Sequence, residues 1–238
     1  MRRRMYDNIE FLASEEQAIG VLYLSRYPKD DHPGGWVYTV HIEGDLLMSS
    51  VSPLSERLLA TNAIAAHTGT KPLRVLIGGL GLGHTAEAAL DSPRAGHVRV
   101  VDRMDFVINW LRDGLLPLSE RLTNDPRVEL ATGDVYGDLL GEPDGEWDVI
   151  LVDVDHAPNM PLDLDSLPFY TPEGQAAVRR HLAPGGVLAV WSAFDSEHFT
   201  DVLKQSYARA WSEHIRWEVP NEGPLHNVLF FATDAPAA

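Results

Sequence analysis

A chain of 238 residues holds one sizeable α/β unit with a small appendage and is too short for two full domains with separate cores. Hydrophobic residues make up 45% and charged residues 23%, an ordinary globular composition, while a formal net charge of -16 sets the long-range field against phosphate backbones and anionic lipid, so nucleic acid and membranes are not expected partners. With no cysteine, disulfides, thiolate catalysis and cysteine-ligated metal centres are excluded; nothing approaches the ~20 apolar residues of a membrane span, and a cytoplasmic location is expected.

The opening MRRRMYDNIEF is basic but has no apolar stretch behind it. Residues 19–27 and 36–43, rich in β-branched and aromatic side chains and separated by PKDDHPGG, predict two strands of a small N-terminal β-element. Glu43-Gly44-Asp45 marks a turn. SPLSERLLATNAIAAH, with Ser, Pro and Glu at its start and an apolar stripe behind, predicts a capped helix. From Leu73 the runs RVLIGG, HVRVVD, RVELATGD, WDVILVD and GVLAVW are almost continuously apolar, as strands buried on both faces require. Helical segments are expected near 84–91, 104–122, 172–182 and 196–210, giving an α/β, doubly wound, Rossmann-like parallel sheet. The tail IRWEVPNEGPLHNVLFFAT predicts an antiparallel hairpin that ends the sheet, with a frayed end from Asp234. The expected division is a β-element and linking helix over 1–68 and the Rossmann-like domain over 69–238.

Gly78-Gly79-Leu80-Gly81-Leu82-Gly83 stands between an apolar strand and a helical run, where Gly78, Gly79, Gly81 and Gly83 let the backbone turn tightly and approach a ligand. The competing reading is a purely structural turn. Asp102 ends the next strand about twenty residues on, where a carboxylate accepts hydrogen bonds from ribose hydroxyls; the alternative is a solvated strand end. Asp134 follows the third strand. Asp153, Asp155 and His156 follow the fourth, at the carboxyl edge where open α/β sheets bind ligands; together they can hold a cationic amine, take its proton and orient its lone pair. A loop-capping cluster or a divalent-cation site are the alternatives there, and no metal is expected. Neither HExxH, GxSxG nor a phosphate-binding GxxxxGK[ST] loop occurs, and Trp191 stands where it can border the pocket.

Taken together these segments resemble the spermidine synthases and their relatives, from about Ile42 to about Tyr207. IEGDLLMSSVSPLSERLL is similar to that family's strand and following helix, RVLIGGLGLG to its glycine loop, VVDRMDFVI to the segment with its ribose-binding acid, DPRVELATGD to the approach to its adenine contact, and FYTPEGQAAVRRHLAPGGVLAVWS to the helix and strand that follow catalysis. The resemblance implies a class I methyltransferase fold ending in an antiparallel hairpin, S-adenosylmethionine or its decarboxylated form as donor, Asp134 near the adenine amino group, and a homodimer. It also implies that Asp153 binds and deprotonates the attacking amine while Asp155 or His156 holds or relays. Three departures stand out. The family's GGGDGG loop has an acid where this chain has Gly81; its Tyr-His-Glu triplet becomes Leu54-Ser55-Glu56, keeping only Glu56 as a substrate contact; and its DSSDP segment becomes Asp153-Val154-Asp155-His156-Ala157.

The resulting expectation is alkyl transfer, methyl rather than aminopropyl, from a sulfonium donor to a small-molecule nucleophile, an amine. The alternative is an authentic spermidine synthase acting on putrescine. Two other readings stay open: a nicotinamide-dependent oxidoreductase, since Gly81-Leu82-Gly83-His84-Thr85-Ala86 also satisfies GxGxxA, and a non-catalytic nucleotide sensor.

Overall fold

The structure, a computed structural model, describes residues 8–17, 20–154, 156–161, 163–219 and 223–235. The basic opening residues 1–7, Ile19, the turn residues 220–222 and the last three residues of the expected frayed end lie outside that set.

The chain opens with an antiparallel meander of β1 (Glu10–Gln17), β2 (Gly20–Pro28), β3 (Trp36–Ile42) and β4 (Asp45–Ser49), paired in that order. β2 and β3 are the two expected strands, and they bury Leu22, Leu24, Val37 and Val40. β1 is an addition. Its sequence EFLASEEQ is mostly exposed, so pairing with β2 rather than burial of its own side chains makes it a strand. Helix α1 (Leu54–Ala66) follows as expected, but its side-chain cap does not form: Pro53 occupies the N-cap position, Ser52 Oγ accepts the Trp217 indole N–H at 2.7 Å, and Ser55 Oγ donates to Glu56.

The second sheet contains β5 (Leu73–Gly78), β6 (Ala95–Asp102), β7 (Val128–Thr132), β8 (Trp147–Val152), β9 (Leu182–Ser192), β10 (Arg209–Val219) and β11 (Gly223–Thr233), in the order β10-β11-β9-β8-β5-β6-β7. The five strands β5 to β9 pair parallel; β11 pairs antiparallel with β9 and with β10. This is the expected doubly wound sheet with its terminal hairpin, and the antiparallel β11 agrees with the sheet ending that the resemblance implies.

Successive strand residues face opposite sides. Val75, Ile77, Val100, Val149, Leu151, Val187 and Phe231 pack on one face, under α1, α2 (His84–Asp91), α3 (Asp105–Arg112), α4 (Ser119–Thr123) and Leu22, Leu24 and Val40 of the N-terminal sheet. Leu76, Val101, Ile150, Val152, Leu188 and Phe230 face the other core, under α5 (Val135–Leu140), α6 (Pro172–Arg179) and α7 (Glu197–Ser206). Each fully buried Phe or Leu contributes roughly 1.5–3 kcal/mol against conformational entropy.

Three expectations need correction. The helix expected over 104–122 is two helices, because Gly114 turns at φ 79 and Leu115 N–H reaches back to Trp110 O while Gly114 N–H bonds Leu111 O, a helix stop that Pro117 then enforces. The helix expected over 196–210 ends at Ser206, where Tyr207 turns extended and residues from Arg209 pair with β11. Asp234 is not frayed: it accepts from Arg179 Nε and from Ala208 N–H, and Ala235 is buried. Among the described residues no helix is long and apolar enough to cross a membrane.

Candidate functional site

The chain leaves β5 toward β6 and β7, then returns to add β8 and β9 on the other side. The strand order therefore reverses between β5 and β8, and a crevice opens at their carboxyl ends. A cavity of about 710 Å³ occupies that place, within the range of small-molecule sites. Its wall follows the sheet edge in order: Asp134 after β7, Asp102 at the end of β6, Gly79 and Gly81 after β5, Asp153 after β8, and Trp191 in β9. With neighbouring strands ~4.8 Å apart, the row runs for roughly 20 Å.

The glycine turn is tied to both neighbouring strands. Gly79 N–H bonds Val101 O at 2.9 Å, and Gly78 O accepts Asp153 N–H at 2.9 Å. Gly79 has φ 91, and a Cβ there would lie 2.1 Å from the Asp153 carbonyl oxygen, so only glycine allows the β8 end to come this close. Gly81 differs: a Cβ would meet only Met48 Sδ at 3.7 Å, leaving open cavity. Gly78 and Gly83 face packed side chains instead, Val135 and Leu122, and are not on the cavity wall.

Asp102, 7% exposed, accepts Leu80 N–H on Oδ2 and Met104 N–H on Oδ1, each at 2.8 Å. Burial pushes its carboxyl up against the pull of those amides. It thus clasps the glycine turn to the start of α3, and the Gly81 amide adds a third backbone hydrogen bond. Asp134 caps α5, accepting Tyr136 N–H at 3.0 Å, and also lines the cavity.

In the middle of the row Asp153 meets Glu56, brought in by the first turn of α1. Burial, then the Glu56 charge, pushes Asp153 up to about 7, and burial raises Glu56 as well. Two neighbouring half-buried carboxyls can share one proton or hold a cation in its stead. His156 lines the mouth with an exposed ring, and its carbonyl accepts Ala193 N–H at 2.8 Å. Asp155 lies outside the described residues.

The sequence reading did not identify several of the groups that build this site. Thr85 Oγ1 donates to Asp153 Oδ2 at 2.6 Å, and Ser55 Oγ donates to Glu56 Oε2 at 2.7 Å while accepting Trp191 Nε1–H at 3.0 Å. His84, in the wall, is pushed down to about 4 by burial and then by Arg57, and so is neutral near pH 7. Arg103 pairs with Asp163 at 2.7 Å across the β6 end of the cavity. A Thr or Ser next to a glycine turn or at a helix start gives no local signal of such partners. The row thus runs from the hydrogen-bonding carboxylates Asp134 and Asp102 to a carboxyl pair at its middle that can hold a cation.

No protein-family model matches the chain. Over 154 residues, 63% of this chain and 29% of the relative, it is 32% identical to a polyamine aminopropyltransferase of Oceanobacillus iheyensis. Over 117 residues, 49% of this chain and 29% of the relative, it is 33% identical to putrescine N-methyltransferase 4 of Nicotiana tabacum. Each match thus spans less than a third of the relative's length. Among solved structures, the spermidine synthase from Thermotoga maritima superposes with TM-score 0.69 at 18% identity, covering 94% of this chain and 72% of that one. A spermidine synthase in complex with the transition state analogue AdoDATO gives TM-score 0.70 at 19% identity, covering 94% and 74%. The chain is similar in sequence to part of these transferases, and it shares the spermidine synthase fold, as the resemblance led us to expect.

Proposed function

We propose that this chain is a transferase that moves an alkyl group from S-adenosylmethionine or its decarboxylated form to a small amine, methyl in preference to aminopropyl. The observation that carries the reading is the half-buried Glu56–Asp153 pair at the middle of the sheet-edge cavity. Relatives named as aminopropyltransferases and putrescine N-methyltransferases support the class, and putrescine is the alternative acceptor, with aminopropyl transfer the alternative reaction. The donor-binding residues fall within 69–238, and residues 1–68 bring Glu56 to the acceptor. A homodimer acting in the cytoplasm completes the proposal.

The donor fits the residues present: Asp102 for the ribose, Asp134 for an exocyclic amine, and open space at Gly81 for the chain beyond sulfur. When bound, a sulfonium supplies an electrophilic carbon and a thioether leaving group. The protein's own work is alignment and proton handling. The carboxyl pair draws in the ammonium form, and ionised Asp153 takes the amine's proton. As nitrogen's lone pair forms the new N–C bond, the C–S bond breaks and its electron pair stays on sulfur.

Mass spectrometry of products from both donors with an amine panel tests the reading, beside calorimetric titration of each donor. Asp102→Ala is expected to weaken donor binding about 10–100-fold, the worth of hydrogen bonds to a charged group. Donor binding without any product would leave only the sensor reading, and no donor binding would end the proposal.

Gly81→Asp is expected to fold, since the open cavity accepts the side chain and the left-handed conformation costs about 1–2 kcal/mol. Its carboxylate would face the donor's ammonium and repel a retained α-carboxylate, shifting preference toward the decarboxylated donor by about tenfold. Unchanged relative affinities would show that this loop position does not read the donor's carboxyl.

A further inference from the structure

We propose that Thr85 is a positioning residue that commits Oδ2 of Asp153 and so leaves Oδ1 as the oxygen that takes the acceptor's proton, while Ser55 and Trp191 fix Glu56 beside it. The inference rests on the proposed transfer for its chemistry, but its geometry stands independently.

Thr85 is the second residue of α2, 3% exposed, and its hydroxyl lies 2.6 Å from Asp153 Oδ2. Its other acceptor in reach, the carbonyl oxygen of Glu56, is 3.5 Å away. A hydroxyl has one proton to give, and these distances direct it to Asp153. Asp153 follows β8 whereas Thr85 follows the glycine turn, so the bond also ties the two sides of the reversal point together.

At Glu56 the order of donors is fixed by chemistry. The indole N–H of Trp191 can only donate. It donates to Ser55 Oγ at 3.0 Å, so the Ser55 proton is directed to Glu56 Oε2 at 2.7 Å, and the chained bonds polarise one another. Each carboxyl thus has one oxygen held by a dedicated hydroxyl. Of the groups that act on Asp153, Glu56 from α1 opposes its ionisation and Thr85 from α2 favours it, and His84 and His156 line the same cavity. When the amine N–H breaks, the new O–H forms at Oδ1, and the Thr85 bond steadies the ionised form that must precede that step.

The test is direct titration of the Asp153 carboxyl by carbon NMR in protein with labelled aspartate, assigned by its loss in Asp153→Asn, together with the pH profile of kcat/KM. Thr85→Val removes the hydroxyl at constant shape and should raise the Asp153 midpoint by about one unit, with the acidic limb of the profile following. Thr85→Ser should restore both. Should the valine variant fail to fold, Thr85→Ala gives the same comparison with serine. A midpoint identical in the threonine, serine and valine or alanine proteins would overturn the positioning role, whether or not the chain turns over. A shifted midpoint in a protein that transfers nothing would instead count against the proposed function and leave the positioning of Asp153 established.

Discussion

Asp153→Asn is expected to lower the transfer rate by about 10²–10⁴-fold, the usual contribution of a positioned base, and at the same time to make the protein more stable at alkaline pH. Both effects have one cause. Burial and the Glu56 charge push the Asp153 carboxyl from its ordinary 3.8 up to about 7 in the folded chain. Between those two values the native state holds a proton that the unfolded state has lost, so the group's favourable contribution is complete below about 4, declines as pH rises, and is gone once pH has passed about 7. Ionising the buried group costs at most about 4 kcal/mol, three units at 1.36 kcal/mol each. Asparagine never ionises, and its amide oxygen still accepts from Thr85. Chemical denaturation at pH 5 and pH 8 measures the difference. The stability gained by the variant should be larger at pH 8, and equal gains would refute the buried-charge account. In the wild type, transfer should fall as pH drops through about 7, because the base becomes protonated.

Gly79→Ala should be among the most damaging single-methyl additions in the molecule. The site has φ 91, and the new carbon would lie 2.1 Å from a backbone carbonyl oxygen, that of Asp153, which no side-chain rotation can move aside. Relief requires shifting the β8 end away from β5, which breaks the Gly78–Asp153 hydrogen bond. We expect a loss of about 3 kcal/mol or more in unfolding free energy and no detectable donor binding. Gly81→Ala, two residues on, meets only Met48 Sδ at 3.7 Å and should keep most of both. Parallel denaturation and calorimetry on the two variants decide the point. Matching stabilities would mean that the close approach at Gly79 is not a constraint.

These two residues also show how much was legible. The strands from Leu73 onward announced themselves because parallel strands buried on both faces are nearly continuously apolar, and their carboxyl ends pointed to Asp102, Asp134 and Asp153. The Gly114 break was present in the sequence as a Gly and a nearby Pro117, yet the apolar stripe across residues 104–122 suggested one helix. β1 was not legible, since its glutamate-rich sequence becomes a strand only through pairing with β2. Neither was Thr85, whose partner lies 68 positions away in the chain, nor the anchoring of Asp234 by Arg179, 55 positions distant. Local periodicity records which side of an element faces the core. It does not record which hydroxyl will meet which carboxylate once the sheet has reversed direction.

The hydrogen bond from Trp217 to Ser52 joins residues 165 positions apart, and Trp191 reaches Ser55 across 136. Both contacts border the cavity, and both wait on segments near the carboxyl end of the chain. Closing loops of that length is slow relative to forming the local β-α units. During synthesis, then, the glycine turn and Asp102 can assemble early, while the wall that holds Glu56 in place forms only after β9 and the terminal hairpin have emerged. A nascent chain would complete the glycine turn well before it could set Glu56 beside Asp153.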